Sequence, residues 1–104
     1  MEGGLFENGA EQESAPWPVL MNAGEVIGMK RAEDMTGRNA KTITRWCKQF
    51  GIGIHSCSSA PWEISAPALM MVRHGDVAAL ELLREGKRLH PRVKRYFDHL
   101  GIPA

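Results

Sequence analysis

The sequence contains no long run of apolar residues, and no segment approaches the roughly 20 that a membrane-spanning helix needs. It also lacks a basic segment followed by an apolar stretch, so we expect neither a membrane span nor a secretory signal. Only two cysteines, Cys47 and Cys57, occur in 104 residues, too few to build a disulfide framework. These absences favour a reducing, cytoplasmic compartment.

Acidic residues are missing from the middle of the chain, and basic residues are missing from its beginning. No Asp or Glu lies between Asp34 and Glu63, and residues 1–20 carry four glutamates but no Lys or Arg. From Met21 onward, 13 basic residues face 8 acidic ones, a net charge of +5, although the whole chain carries +1. This separation of charge favours an anionic partner.

Few residue sets in the sequence suggest catalysis or metal binding. Cys47, His55 and Cys57 are the one close set of Cys and His residues, whereas a zinc site normally needs four well-spaced ligands. Cys57 and His55 would supply a nucleophile and a base, but no third group is evident to orient them. We therefore expect no enzymatic activity, no metal and no cofactor.

The segment from Ala40 to Phe50, "AKTITRWCKQF", is strongly two-sided when placed on a helix. The spacing i, i+3, i+4, i+7 defines an apolar stripe that consists of Ile43, Trp46, Cys47 and Phe50. The opposite side carries Lys41, Arg45 and Lys48, with Thr42 and Thr44 on the flanks. Asn39 is a favourable N-cap and Gly51 a favourable helix end. The helix is predicted to bury aromatic residues and expose cations.

The remaining pattern predicts a mainly α fold with a small β-hairpin. Residues 1–20 are rich in Gly, Glu and Pro, a composition that predicts a disordered acidic leader. We expect this leader to dock at its end through Trp17. "MKRAEDMTG" predicts a helix with Ala32 and Met35 inward and a stop at Gly37, while Val26 and Ile27 suit either a strand or a helix. "IGIH" and "WEI" predict two strands across the turn "SCSSAP", with Trp62 and Ile64 inward.

Three more helices are expected, beginning after Ser65, after Asp76 and at Pro91. Their expected inward residues are Leu69, Met70 and Val72; Val77, Leu80 and Leu83; and Val93, Tyr96, Phe97 and Leu100. We predict one folded unit over residues 21–75 and a helical hairpin over residues 76–104 that packs on it.

This order of elements resembles the winged helix-turn-helix of phage-type excisionases and the MerR superfamily. The resemblance covers about residues 28–70 and is carried by Ala32, Met35, Gly37, Asn39, "KTITRW" from Lys41 to Trp46, and "WEISAPAL" from Trp62 to Leu69. The sequence departs from the family at Arg38, where an apolar residue is usual, and in "SCSSAP", which lacks the cation usual in the wing. The resemblance implies a bacterial or phage protein that acts on the nucleoid.

For such a fold we expect the helix from Ala40 to Phe50 to enter the major groove of double-stranded DNA. The expected DNA-contacting residues are Arg38, Asn39, Lys41, Thr42, Thr44, Arg45 and Lys48. Secondary contacts with DNA or a partner are expected from Lys30, Arg31, His55, Ser58, Lys87 and Arg88. Arg45 would contact either guanine or a phosphate. Trp46, Phe50 and Trp62 are expected in the core rather than as base-stacking platforms.

Several functions remain open at this point. The protein is expected to be an excisionase-like accessory factor in DNA recombination, a transcriptional regulator with the same DNA contacts, or a protein-interaction module that binds no nucleic acid. A recombinase or another protein could bind the C-terminal helices, and copies could associate on adjacent DNA sites. The basic group comprising Arg84, Lys87, Arg88, Arg92, Lys94 and Arg95 contacts DNA or a protein, or is simply a solvated turn.

Overall fold

Five short helices and three very short strands form the part of the chain that the computed structural model describes, residues 16–104. A 3-10 turn (Ala23–Glu25) comes first. In chain order the strands and helices are then β1 (Val26–Ile27), α1 (Met29–Thr36), α2 (Ala40–Phe50), β2 (Gly53–Ile54), β3 (Glu63–Ser65), α3 (Ala66–Arg73), α4 (Val77–Arg84) and α5 (Pro91–Leu100). The predicted mainly helical fold with a small β element is confirmed. No helix in this part is long and apolar enough to cross a membrane.

Side-chain caps and glycines set the helix ends at the predicted positions. Asn39, Ser65 and Asp76 each accept a hydrogen bond from the backbone N–H three residues further on, at 2.9, 3.2 and 3.1 Å. These bonds satisfy donors that the first turns of α2, α3 and α4 would otherwise leave unpaired. Gly37 and Gly51 adopt the left-handed conformation, with φ of 70° and 67°, and end α1 and α2.

The sheet has three antiparallel strands, in the order β1-β3-β2, rather than the predicted two. β3 pairs with β2 on one edge and with β1 on the other, so that Ile64 lies opposite both Gly53 and Ile27. Val26 and Ile27 therefore form a strand, because β3 offers them a second edge for hydrogen bonding. Ile64 is fully buried as predicted, whereas Trp62 is only half-buried.

Helix α3 lies at the centre of the core. Every residue from Ala66 to Met71 is buried, and the helix contacts α1, α4, α5 and β3. A helix covered on several sides needs apolar residues around its circumference rather than in one stripe. This explains why the one-sided prediction missed Met71, which is fully buried, and placed Val72, which is half-buried, too deep.

Two other apolar positions differ from the prediction. Val77 is 57% exposed, because the packed face of α4 consists of Ala79, Leu80 and Leu83 and does not extend to its first residue. Trp17 is 74% exposed, and the neighbouring Val19 enters the core instead. The predicted leader therefore ends before residue 20; its first 15 residues lie outside the described part of the chain.

A buried ion pair joins the segment before β1 to the C-terminal helices. The side chain of Glu25 is 2% exposed, and both of its carboxylate oxygens accept hydrogen bonds from the guanidinium of Arg88. The same guanidinium donates to the carbonyl of Leu20 at 2.9 Å and lies 5.3 Å from the centre of the Phe97 ring. Arg88 is thus engaged inside the protein, which corrects its expected role as an external contact.

Removing one partner of this ion pair is expected to destabilise the fold strongly. Arg88→Met leaves the Glu25 carboxylate buried without its counter-charge, and we expect the free energy of unfolding to fall by about 3–5 kcal/mol. Urea unfolding followed by circular dichroism measures the change. The double variant Glu25→Leu with Arg88→Met removes both charges and should recover most of the loss. Equal stability of Arg88→Met and the wild type would contradict this account.

Asp76 accepts three hydrogen bonds, two of which connect α4 to α5. Besides capping α4, its carboxylate accepts from the hydroxyl of Tyr96 at 2.8 Å and from Nε of Arg92 at 2.9 Å. Burial alone would raise the pKa of Asp76, but the hydrogen bonds from Tyr96 and from the N–H of Ala79, together with Arg92, lower it below its ordinary value. The charged form of Asp76 therefore stabilises the folded state.

This pKa shift gives a prediction for stability against pH. A carboxyl group whose pKa is lowered by folding stabilises the protein fully above its unfolded pKa of about 3.9, and this contribution is lost as the pH falls through the folded pKa. Asp76→Asn should be less stable than the wild type at pH 7, by about 1 kcal/mol. The difference should shrink in thermal unfolding at pH 3. A difference that stayed constant between pH 7 and pH 3 would contradict the assignment.

Candidate nucleic-acid interface

The corner between α1 and α2 is fixed by the last residue of α1. The Thr36 hydroxyl donates to the carbonyl of Ala32 at 2.8 Å and accepts from the N–H of Arg38 at 3.1 Å. Nε of Arg73, at the end of α3, donates to the Thr36 carbonyl at 2.9 Å. The turn of residues 37–39 is therefore held from both sides, and α2 begins in a defined direction.

The inner side of α2 is buried as predicted. Ile43 is fully buried and Cys47 is 2% exposed, while Trp46 and Phe50 are half-buried against the same core. Burial raises the pKa of Cys47 to about 11, so its thiol stays protonated and packs as a small apolar group. The two aromatic residues of the stripe lie against the core, in the orientation expected for packing.

The far end of α2 is held by Arg84, a contact that sequence reasoning missed. The guanidinium of Arg84 donates to the Phe50 carbonyl at 2.9 Å and to the carbonyl of Trp17. The N–H of Val19 donates to the carbonyl of Gly51 at 2.9 Å. A cation at the C-terminal end of a helix can donate hydrogen bonds to the last carbonyls, and it interacts favourably with the negative end of the helix dipole. Arg84 follows Phe50 by 34 positions, so no local pattern indicates the contact.

The outer side of α2 is cationic and faces outward. Lys41, Arg45 and Lys48 are exposed, and Arg38 is exposed in the turn before the helix. We call these four residues the α2 cationic face. The exposed Asn39 and the half-buried Thr42 and Thr44 lie beside it, so all seven residues expected to contact DNA lie on α2 or in the turn before it. Among the secondary candidates, Lys30 and Arg31 are exposed on α1.

Ion pairing separates the basic residues of the chain into two groups. Within residues 16–104, no member of the α2 cationic face forms an ion pair. Five of the six basic residues between Arg84 and Arg95 do: the pairs are Arg84–Glu81, Lys87–Glu85, Arg88–Glu25, Arg92–Asp76 and Lys94–Asp98. Within the described residues, positive charge without an ion-pair partner therefore lies mainly on α1, on α2 and in the turn between them rather than in the C-terminal helices.

The loop between β2 and β3 carries no Lys or Arg and is ordered by an aromatic pair. The rings of His55 and Trp62 stack with centroids 3.9 Å apart and an angle of 20°. Nδ1 of His55 is buried and has no hydrogen-bond partner within the described part of the chain. Ser58 is exposed, and a hydrogen bond with Ser59 lowers the pKa of the exposed Cys57 thiol. The loop thus presents hydroxyl groups to solvent, and His55 is partly occupied by stacking.

The described residues contain no group of three or more His, Cys, Asp or Glu that could hold a metal ion. Searches of protein-family models, curated proteins and solved structures found no match to this chain.

Gly53 lets the sheet approach α2 closely. A Cβ atom at this position would lie 2.6 Å from Sγ of Cys47 and 3.2 Å from Cγ1 of Ile64. Both neighbours belong to the core, so neither can move away without disturbing the packing. The contact fixes the distance between the inner side of α2 and the β2 edge of the sheet.

We therefore expect Gly53→Ala to lower the free energy of unfolding by about 1–3 kcal/mol, the usual cost of overpacking a core. Gly24→Ala is the matched control, because no atom lies within 4 Å of the Cβ it would add. Chemical denaturation of both variants and the wild type measures the effect. If both alanine variants lose the same stability, the cost comes from the backbone and not from the contact with Cys47.

Proposed function

We propose that this chain is a sequence-specific double-stranded DNA-binding protein with a winged helix-turn-helix fold, similar to excisionase-type accessory factors. In this proposal α1 and α2 form the helix-turn-helix, and the β2–β3 loop is the wing. The observation that supports it best is the α2 cationic face, whose charges have no acidic partner within residues 16–104. Positive charges that lack acidic partners and are held by a fixed helix favour the binding of a polyanion such as DNA.

The major groove of DNA admits an α-helix and displays a different donor and acceptor pattern for each base pair. Arg45 lies near the middle of the α2 cationic face, and its forked guanidinium suits the O6 and N7 acceptors of guanine. Arg38, Lys41 and Lys48 suit phosphate contacts, which set the register of the helix and supply salt-dependent affinity. The hydroxyl groups of Thr42 and Thr44 suit hydrogen bonds to base edges or to phosphates.

Because α2 is held in place, it favours sequence-specific contacts with DNA bases over nonspecific electrostatic attraction. Ile43 and Cys47 hold the inner side, Thr36 holds the turn before the helix, and Arg84 holds its far end. A side chain on such a helix loses less freedom on binding than one on a mobile loop. The wing would contribute the Ser58 hydroxyl and backbone N–H groups, so most of the charge-dependent affinity would come from α2 and from Lys30 and Arg31 on α1.

An accessory factor also needs a surface for another protein. Leu20 is 78% exposed and Leu89 is 72% exposed, and Arg88 links their segments by donating to the Leu20 carbonyl. Exposed leucines beside the C-terminal helices suit contact with a recombinase, another protein or a second copy on adjacent DNA. A transcriptional regulator would use the same DNA contacts, so what else occupies the site would distinguish the two roles.

The proposal predicts specific, salt-dependent DNA binding that depends on Arg45. A site is first selected from a random duplex library, and its affinity is then measured at several salt concentrations. Neutralising about five phosphates gives a slope near −4.5 in a plot of log K against log salt. Arg45→Ala should weaken binding to the selected site by about 1–3 kcal/mol, the value for a base contact.

Lys94→Ala is the matched control, since Lys94 is also an exposed cation on a helix but pairs with Asp98 on α5. It should bind like the wild type. If the wild type binds no duplex at any salt concentration, the protein-interaction alternative is favoured, with the α2 cationic face meeting an acidic protein surface. If Arg45→Ala and the wild type bind equally, Arg45 does not read the site.

A further inference from the structure

A second cationic surface lies between the end of α3 and the outer side of α5. His74, Arg95, Tyr96 and His99 line a cavity of about 460 Å³, which we call the α5 groove. A neighbouring cavity of about 480 Å³ shares Arg95 and continues along Arg92 and His90. Positions 92, 95 and 99 follow the i, i+3, i+7 spacing, so their side chains share one side of α5.

The charged residues around the groove differ in whether they form an ion pair. The neighbouring cavity is also lined by Asp76, whose carboxylate accepts hydrogen bonds from Arg92 and Tyr96 and is therefore compensated. Lys94, on the same helix, forms an ion pair with Asp98 at 3.0 Å. Arg95 is the one basic residue between positions 84 and 95 that forms no ion pair within residues 16–104. Its charge is thus available to a ligand in the groove.

Histidine side chains complete the donor set. His74 and His99 are exposed at the ends of α3 and α5, and the His74 ring lies 6.3 Å from the ring of Tyr96. The Tyr96 hydroxyl already donates to Asp76, so Tyr96 forms a wall of the groove while Arg95 and the two histidines offer N–H donors. Guanidinium and imidazole donors converging on one cavity suit the oxygen atoms of a phosphoryl group.

The groove begins next to the corner that carries the α2 cationic face. His74 directly follows Arg73, whose side chain donates to the Thr36 carbonyl, and the Thr36 hydroxyl accepts from the N–H of Arg38. Arg38 is the first cation of the α2 cationic face. A phosphate backbone that passes Arg38 and continues beyond the corner would therefore approach His74 and then Arg95.

We propose that the α5 groove binds phosphoryl oxygens of the DNA backbone beside the site read by α2. This inference rests on the proposed DNA-binding function and extends its contact surface from α2 to α5. It assigns phosphate contacts to Arg95, His74 and His99, none of which the α2 cationic face includes. The groove adds affinity and fixes the direction of the duplex without reading bases.

The contribution of the α5 groove to DNA affinity is tested with duplexes of increasing length that are centred on the selected site. Arg95→Gln removes the unpaired charge, and Lys94→Gln is the matched control because Lys94 is paired with Asp98. On long duplexes Arg95→Gln should weaken binding about twofold to fivefold and lower the magnitude of the salt slope by about 1. Short duplexes confined to the α2 site should bind both variants and the wild type equally.

Inorganic phosphate tests the groove without DNA. In NMR titrations, phosphate should shift the ring signals of His74 and His99 in the wild type and in Lys94→Gln, and much less in Arg95→Gln. If the wild type binds duplexes but Arg95→Gln matches it at every length and salt concentration, the inference is overturned while the proposed function stands. That result would leave an acidic protein surface as the partner of the groove.

If the wild type binds no duplex, the proposed function fails. Phosphate shifts that depend on Arg95 would then still support a phosphoryl site in the groove, although not a site for the DNA backbone. The absence of both duplex binding and phosphate shifts would overturn the inference and the proposed function together.

Discussion

Contacts at both ends and along one side hold α2 in place. Ile43 and Cys47 fill the core beneath it, and Gly53 allows the sheet to approach Cys47 closely. Thr36 holds the turn before the helix, and Arg84 satisfies the carbonyl of Phe50 at its end. Each of these contacts removes a way for α2 to rotate or shift, so the outward direction of Lys41, Arg45 and Lys48 follows from the packing beneath them.

The fold also determines which positive charges remain available. Arg84 and Arg88 are used inside the protein, where they join the chain before β1 to the C-terminal helices, and Arg92 supports the cap of α4. A guanidinium that already faces a carboxylate offers less net positive charge to a partner. The α2 cationic face and Arg95 are not used in this way within residues 16–104, and they form the basis of the proposed DNA contacts and of the α5 groove.

Capping residues and apolar periodicity predicted most of the elements, because both can be recognised within a few positions along the chain. Asn39, Ser65 and Asp76 are caps as expected, and the 3.6-residue period placed Ile43 and Cys47 inward. The same reasoning failed where coverage by other elements decides burial. Val77 fits the apolar period of α4 but lies outside its packed face, and Met71 is buried because α3 is enclosed on several sides.

Periodicity and capping act over a few residues, so the order of the amino acids was enough to predict the helices, their caps and the side of α2 that carries its cations. Packing between distant segments placed Val26 and Ile27 in the sheet and Val19 rather than Trp17 in the core. It also paired Arg88 with Glu25, whereas Arg95 forms no ion pair within residues 16–104. The physical reason is distance along the chain. Glu25 and Arg88 are 63 positions apart, and the strength of such a contact depends on burial that no local pattern encodes.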